Sequence, residues 1–301
     1  MALGAAAACV APARPGPLSP LMETVRIGTR SGVVSLGLDE YVLGTALAEV
    51  APVGESPAAV SRIFEIQAVV ARTYAFAHVG RHKAEGFDLC DTTHCQLYEA
   101  ARVRTSRFAA VARAAVRRTR GQVLTYGRRP ADALYHADCG GHTAAADAVW
   151  GGPPVPYLIS APDTAPALTH RTWQVAMPGE RARAALNADG RSAVGARLDA
   201  MVVVARDASG RAVDVRVVGT TSRVLRAGDW RAILNRALGA GGIQSTRVDI
   251  ARDGGAFVVR GSGFGHGVGL CQRGAAARAR LGEDLETILD VYFKGARLVR
   301  M

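Results

Sequence analysis

Four groups of residues in this sequence have types and spacing that could do chemistry. Glu49 closes an apolar run, with Ala46, Leu47 and Ala48 before it and Val50 and Ala51 after it. A carboxyl group among such neighbours keeps its proton toward neutral pH, because burial penalises the charged form, and it can then act as a general acid. His82, Cys90, His94 and Cys95 offer two imidazoles and two thiols, the donor count and softness of a closed tetrahedral zinc site. Such a site is structural, since four protein ligands leave no position to activate water. The same cysteines could instead form a Cys90–Cys95 disulfide or stay as free buried thiols, and His78 is an alternative to His82. The sequence contains no HExxH pair, which argues against a zinc hydrolase.

The third group is a glycine run in which Gly261, Gly263, Gly265, Gly267 and Gly269 fall on alternate positions. No three of them have the offsets of a dinucleotide or Walker loop, so no nucleotide cofactor is expected. In an extended chain this alternation strips one face of side chains and leaves Ser262, Phe264, His266 and Val268 on the other. That face suits either a bulky ligand or tight packing against the rest of the fold. His266 could hydrogen-bond a ligand or orient Glu49, or be an ordinary structural histidine. The fourth group is Cys139, Gly140, Gly141 and Thr143, a tight glycine turn with a hydroxyl beside it. His136 and His142 flank Cys139 at spacings open to a metal, a weak signal on a turning loop.

These residues need elements to hold them. Val25 to Ile27 and Val33 to Leu36 read as strands, and Asp39 as the cap of a helix carrying Val42, Leu43, Ala46 and Leu47 inward, with Glu49 at its end. Ser56 as cap and Pro57 at the first position open a second helix running to about His78. On it Gln67 and Tyr74 share a face, while Arg72 points elsewhere. Arg104 to Arg118 reads as an amphipathic helix ended by Gly121. Three hairpins follow: Gln122 to Tyr126 with Ala131 to His136, Met201 to Arg206 with Val213 to Val218, and Val248 to Ala251 with Ala256 to Arg260. Helices are expected over Ala227 to Leu238, around Leu270 to Leu281 and over Leu285 to Phe293. Antiparallel hairpins with interspersed helices define an α+β fold.

The chain has 301 residues and a formal net charge of +11, carried almost wholly by arginine. Such a charge favours polyanions. The arginines are scattered and aromatic residues make up only 6%, so nucleic acid is not the expected partner. No stretch approaches the roughly 20 apolar residues of a membrane-spanning helix. Residues 1–22, small and apolar and then proline-rich, read as an export-signal remnant or disordered tether, with Cys9 a candidate lipid anchor. This points to an exported protein of the cell envelope or periplasm.

Taken in order, DEYVLGTALAEVAP from Asp39, EIQAVVARTYAFAHVGRH from Glu65, GFDLCDTTHCQLY from Gly86, YHADCGGHT followed by VWGG, and GSGFGHGVGLCQRGAAARA from Gly261 resemble the SpoIID/LytB family. The resemblance covers the chain from about Asp39 to Phe293. It implies one catalytic domain over residues 23–301, with a mixed α/β insertion at about 165–255. It also implies a peptidoglycan lytic transglycosylase that cleaves between MurNAc and GlcNAc, leaves a 1,6-anhydro end, acts on peptide-stripped glycan strands and uses Glu49 as its acid/base. Gln67, Arg72 and Tyr74, the Cys139–Gly140–Gly141 turn with Thr143, and Gly265, His266 and Gly267 would then line a glycan cleft. Val50-Ala51-Pro52 stands where the family has Met-Pro. The alternative within the family is a non-catalytic LytB-like wall-binding protein that stimulates a partner amidase. Cell-wall hydrolases are therefore candidate partners.

Overall fold

The computed structural model describes residues 22–165, 169–239 and 242–301. Cys9 and the expected tether through residue 21 lie outside the described residues. The described chain forms two compact units, one running up to Tyr135 and completed by Gly274–Met301, the other comprising His136–Arg273. The protein is α+β, with small sheets and interspersed helices. Among the described residues, no helix is long and apolar enough to cross a membrane.

The first unit begins with β1 (Thr24–Thr29) and β2 (Gly32–Gly37), an antiparallel hairpin in register from Thr24 opposite Gly37 to Thr29 opposite Gly32. Short β3 (Leu89–Cys90) adds to β1 in parallel. Helix α1 (Leu38–Glu49) is buried almost all round, because β1 and β2, α2 (Pro57–His78) and the helix Ala109–Arg118 all pack on it. Tyr41, Val42, Leu43, Ala46 and Leu47 are its core residues, each large one worth roughly 1.5–3 kcal/mol when fully buried. Helix α2 starts as its sequence dictates: Ser56 Oγ accepts the Ala59 N–H at 3.3 Å, and Pro57 occupies the first turn, where no N–H is needed. Thr73 ties α2 to the strand Gln122–Tyr126, its Oγ1 donating to Val69 O and accepting Leu124 N–H.

Three expectations for this unit are corrected. Asp39 does not cap α1. The helix starts one residue earlier, and the Asp39 carboxylate instead meets Arg120 Nε at 2.8 Å and Arg72 Nη2 at 3.4 Å. The segment expected as one helix over Arg104 to Arg118 is two, Arg102–Thr105 and Ala109–Arg118, because Ser106 turns extended and its Oγ accepts the Phe108 N–H. The hairpin of Gln122–Tyr126 does not extend over Ala131 to His136. Gly127 and Arg128, both at positive φ, make a tight turn into Arg129–Pro130, the Ala131 N–H adds a last bond to Leu124 O at 2.9 Å, and the main partner of the strand is the C-terminal Arg297–Arg300.

The second unit has two three-stranded antiparallel sheets. One joins Leu198–Arg206, Ala212–Gly219 and Arg223–Arg226; in the other, Ala256–Ser262 lies between Val248–Asp253 and Thr172–Pro178. The helices Gly179–Asn187 and Ala227–Leu238 complete a core centred on the fully buried Trp230. The glycine run does not continue as a strand. Gly263, Gly265, Gly267 and Gly269 all take positive φ, so the stripped-face geometry of an extended chain is absent.

Gly44 on α1 lies under the Tyr98 ring, where an added Cβ falls well inside van der Waals contact. Tyr98 in turn stacks on Tyr41 with centroids 5.7 Å apart. Gly44→Ala is therefore expected to destabilise the protein by about 1–3 kcal/mol in denaturant melts, although alanine is the better helix former. An unchanged or raised midpoint counts against this packing.

Candidate functional site

Glu49 is the last residue of α1, and the chain turns extended at Val50. Its Oε1 accepts two hydrogen bonds, from Leu97 N–H at 2.8 Å and from the Tyr135 hydroxyl at 3.0 Å. Both fall on Oε1, which leaves Oε2 without a hydrogen bond to any other described residue. Burial raises the Glu49 pKa above its ordinary value against the opposing effect of the two bonds, and no neighbouring charge contributes. The direction of this shift is the one expected for a carboxyl in an apolar run.

Tyr135 and Gln96 complete this arrangement, and neither was singled out from the sequence. The Tyr135 hydroxyl also lies 3.0 Å from Gln96 Oε1. Gln96 is buried and oriented by its own Nε2, which donates to Tyr41 Oη at 3.0 Å and Ala71 O at 3.2 Å. One hydroxyl proton cannot serve two acceptors. When Glu49 is ionised, Tyr135 donates to it; when Glu49 is protonated, Tyr135 can turn to Gln96 Oε1. Burial, and then the charge of Glu49, hold the Tyr135 hydroxyl well above its ordinary pKa, so it stays a proton donor. The sequence signal for these two residues is their place in the quoted motifs, Gln96 in GFDLCDTTHCQLY and Tyr135 at the start of YHADCGGHT.

Beside this network lies the cysteine–histidine cluster. One donor atom from each of His82, Cys90, His94 and Cys95 falls within 4.8 Å of the others. His82 Nε2 is 3.2 Å from His94 Nδ1 and 3.5 Å from Cys95 Sγ, and His94 Nδ1 is 3.8 Å from each sulfur. His82 Nδ1 meets Glu85 Oε1 at 2.6 Å, the carboxylate–imidazole pairing that orients a ligating histidine. His78 is not part of the cluster; it is buried, with Nε2 3.1 Å from Asp132 Oδ1. Cys90 and Cys95 are free and share a hydrogen bond, which drives the Cys90 thiol down to about 3 and raises Cys95. Two soft sulfurs and two imidazoles at this separation fit a zinc ion.

The remaining expected site residues are placed differently. Gln67 and Tyr74 are buried in α2, Tyr74 against the His78 ring and bonded by Arg81. Arg72 is a core residue whose guanidinium donates to Thr119 O, Gln122 O and Val116 O, satisfying carbonyls at the end of the helix Ala109–Arg118. Through Asp39 it stands at the opposite end of α1 from Glu49, about 15 Å along the helix at about 1.5 Å per residue. The structure therefore does not bring Arg72 to Glu49.

Cys139, Gly140, Gly141, Thr143, Gly265, His266 and Gly267 belong to the second unit. Cys139 is fully buried, so its thiol is not a surface contact for glycan. Thr143 Oγ1 is engaged internally by Ile159 O and by Ala161. A Cβ on Gly263 would meet the backbone of Asp138 and Gly140, and one on Gly265 would meet His136, so the run packs tightly within its own unit. His266 is half-buried, its ring 5.1 Å from Trp150 and 5.4 Å from His136, and its Nδ1 accepts the Val268 N–H.

Fold and site together define an α+β protein with a half-buried glutamate of raised pKa and an adjoining soft-donor cluster. Residues 28–126, which carry both, match the Stage II sporulation protein (SpoIID) family. The chain is 26% identical over 295 residues to the Stage II sporulation protein D of Bacillus subtilis, covering 93% of this chain and 79% of that one. It is 29% identical to an uncharacterized protein of Brachyspira hyodysenteriae, covering 89% of this chain and 68% of the relative. It is 26% identical to the amidase enhancer of Bacillus subtilis, covering 81% of this chain and 39% of the enhancer. These matches support a SpoIID family assignment and a role related to sporulation and the cell wall.

The raised pKa of Glu49 has a consequence for stability. Below the ordinary carboxyl range, folded and unfolded states both hold the proton. As pH rises, the unfolded chain releases it first, so the residue costs stability increasingly up to and through its folded pKa. Glu49→Gln removes that cost and keeps an acceptor for Leu97 N–H. The variant is expected to melt above wild type at neutral pH, with the difference shrinking in acid. A pH-independent difference would refute this account.

Proposed function

We propose that the protein is a peptidoglycan lytic transglycosylase that cleaves the MurNAc–GlcNAc β-1,4 bond of peptide-stripped glycan, with Glu49 as its single acid/base. The observation that carries this reading is the state of Glu49: half-buried, its pKa raised by desolvation, with Oε1 pinned and Oε2 uncommitted. Such a group can give its proton from Oε2 to the departing glycosidic oxygen. The resulting carboxylate then takes the proton of the MurNAc C6 hydroxyl as that oxygen attacks C1. The ring closes to the 1,6-anhydro sugar, and the proton balance is restored. An intramolecular nucleophile needs no second carboxylate to hold water, in contrast to an inverting hydrolase. Tyr135 supports the cycle by donating to Glu49 when it is charged and turning toward Gln96 when it is not. A peptidoglycan substrate requires the protein to act in the cell envelope, and the net charge of +11 suits an anionic wall.

His82, Cys90, His94 and Cys95 would hold a structural zinc ion. When bound, it supplies a rigid tie for the loop that ends in Leu97, and it takes no part in the proton transfers. A second reading, a wall-binding protein that stimulates a partner amidase, is favoured by the similarity to the amidase enhancer.

Two experiments test these readings. Glu49→Gln should bind glycan as wild type does in co-sedimentation but lose about 10²–10⁴-fold in release of anhydro ends, measured by mass spectrometry of fragments. Release within a few-fold of wild type excludes Glu49 as the acid. Wild type that binds but releases nothing from glycan, stripped or not, favours the amidase-stimulating reading. Separately, Cys90→Ser/Cys95→Ser should lower bound zinc by one equivalent per chain and reduce the melting temperature, because binding to such a site is folding energy. Unchanged metal content, or a Cys90–Cys95 disulfide by mass mapping, overturns the zinc assignment.

A further inference from the structure

We propose that His136, Cys139 and Cys271 form a second, fully buried site for a thiophilic divalent metal ion of the zinc type, within the His136–Arg273 unit. One donor atom from each comes within 4.8 Å of the others. Both cysteines are 0% exposed and His136 is 4% exposed. The inference does not rest on the activity proposed above or on the cluster at His82.

Each donor is prepared by its neighbours. His136 Nδ1 lies 3.1 Å from Val268 O. Against a carbonyl this nitrogen must carry the proton, so a neutral ring presents its lone pair at Nε2. His136 Nε2 is buried and has no hydrogen-bond partner among the described residues. A buried acceptor left empty costs free energy unless a ligand fills it. Protonating it instead would place an imidazolium beside the buried guanidinium of Arg211, which lies against Gly267 and donates to Cys139 O at 2.8 Å and Gly265 O at 3.3 Å. A metal ion is the partner that uses the lone pair without that cost.

The sulfurs are arranged for the same purpose. Cys139 N–H points at Cys271 Sγ at 3.2 Å, and Gly141 N–H points back at Cys139 Sγ at 3.4 Å. The second contact requires the chain to fold back over Gly140 and Gly141, at φ of 73° and 106°, a conformation glycine adopts freely. Backbone N–H groups aimed at sulfur are the outer-shell donors that orient a metal-ligating cysteine. Two thiolates and an imidazole form a soft set that selects zinc over magnesium or calcium. They also neutralise a divalent charge, so Arg211 faces no net cation. Asp163 Oδ2, 3.5 Å from Cys139 Sγ, is the candidate fourth donor. With no exposed donor, the ion is taken up during folding and is structural, fastening the glycine turn at Gly140 to Cys271 at the far end of the glycine run.

The test uses the whole chain, folded in the presence of zinc or cobalt, desalted, and analysed for metal content and free thiols. Cys90→Ser/Cys95→Ser is expected to retain one metal equivalent and, with cobalt, to show thiolate-to-metal charge-transfer absorption. Adding His136→Gln or Cys271→Ser should abolish both. A folded Cys90→Ser/Cys95→Ser protein that holds no metal overturns the site, as does a Cys139–Cys271 disulfide in the protein as isolated. Should the double variant not fold, His136→Gln alone decides, because it keeps every thiol. Metal content one equivalent below wild type supports the site, and unchanged content overturns it.

Discussion

The hydrogen bond from Leu97 N–H to Glu49 Oε1 is the contact on which the candidate active site depends. It joins the end of a buried helix to a loop with little regular structure. Consecutive residues of that loop face different neighbours: Cys95 enters the soft-donor cluster, Gln96 holds the hydroxyls of Tyr41 and Tyr135, and Leu97 meets the carboxylate. Loops are soft unless they are tied down. Anything that fixes Cys95 therefore fixes, two residues on, the donor that sets the geometry of Glu49. A four-donor metal site serves such a segment because it restrains backbone that no helix or sheet restrains.

Glu49 itself is a balance of opposed effects. Burial favours the neutral carboxyl, while two hydrogen bonds on one oxygen favour the carboxylate, and burial is the larger. A group in that state keeps its proton to higher pH than an ordinary carboxyl without losing its ability to ionise, as a residue that gives and later takes a proton requires. The Tyr135 hydroxyl, with one proton and two acceptors, makes both states acceptable to the surroundings.

Much of this was legible from local pattern. Helix α2 could be read from Ser56, Pro57 and its apolar spacing, and the hairpins of the second unit from paired strand patterns around short turns, because those signals act over a few residues. The break at Ser106 was missed because a side chain of helical periodicity can still bond its own backbone and end the helix. The pairing of Gln122–Tyr126 with Arg297–Arg300 was invisible, since nothing in either segment encodes a partner so distant in sequence. Arg72 misled for a related reason: its place in a motif does not reveal that its guanidinium satisfies carbonyls inside the core.

The sequence by itself determined which groups are available: an acid in an apolar run, two thiols and two imidazoles at short spacing, and glycines on alternate positions. Their chemistry follows from type and immediate neighbours, and short-range spacing is enough to specify it. Only the tertiary structure decided which of them meet. Choosing His82 over His78, bringing Gln96 and Tyr135 to Glu49, and turning the glycine run into close packing against His136 and Asp138 all depend on contacts between segments far apart in the chain. Those contacts are fixed by burying a common core, a constraint that belongs to the whole fold and to no single stretch of sequence.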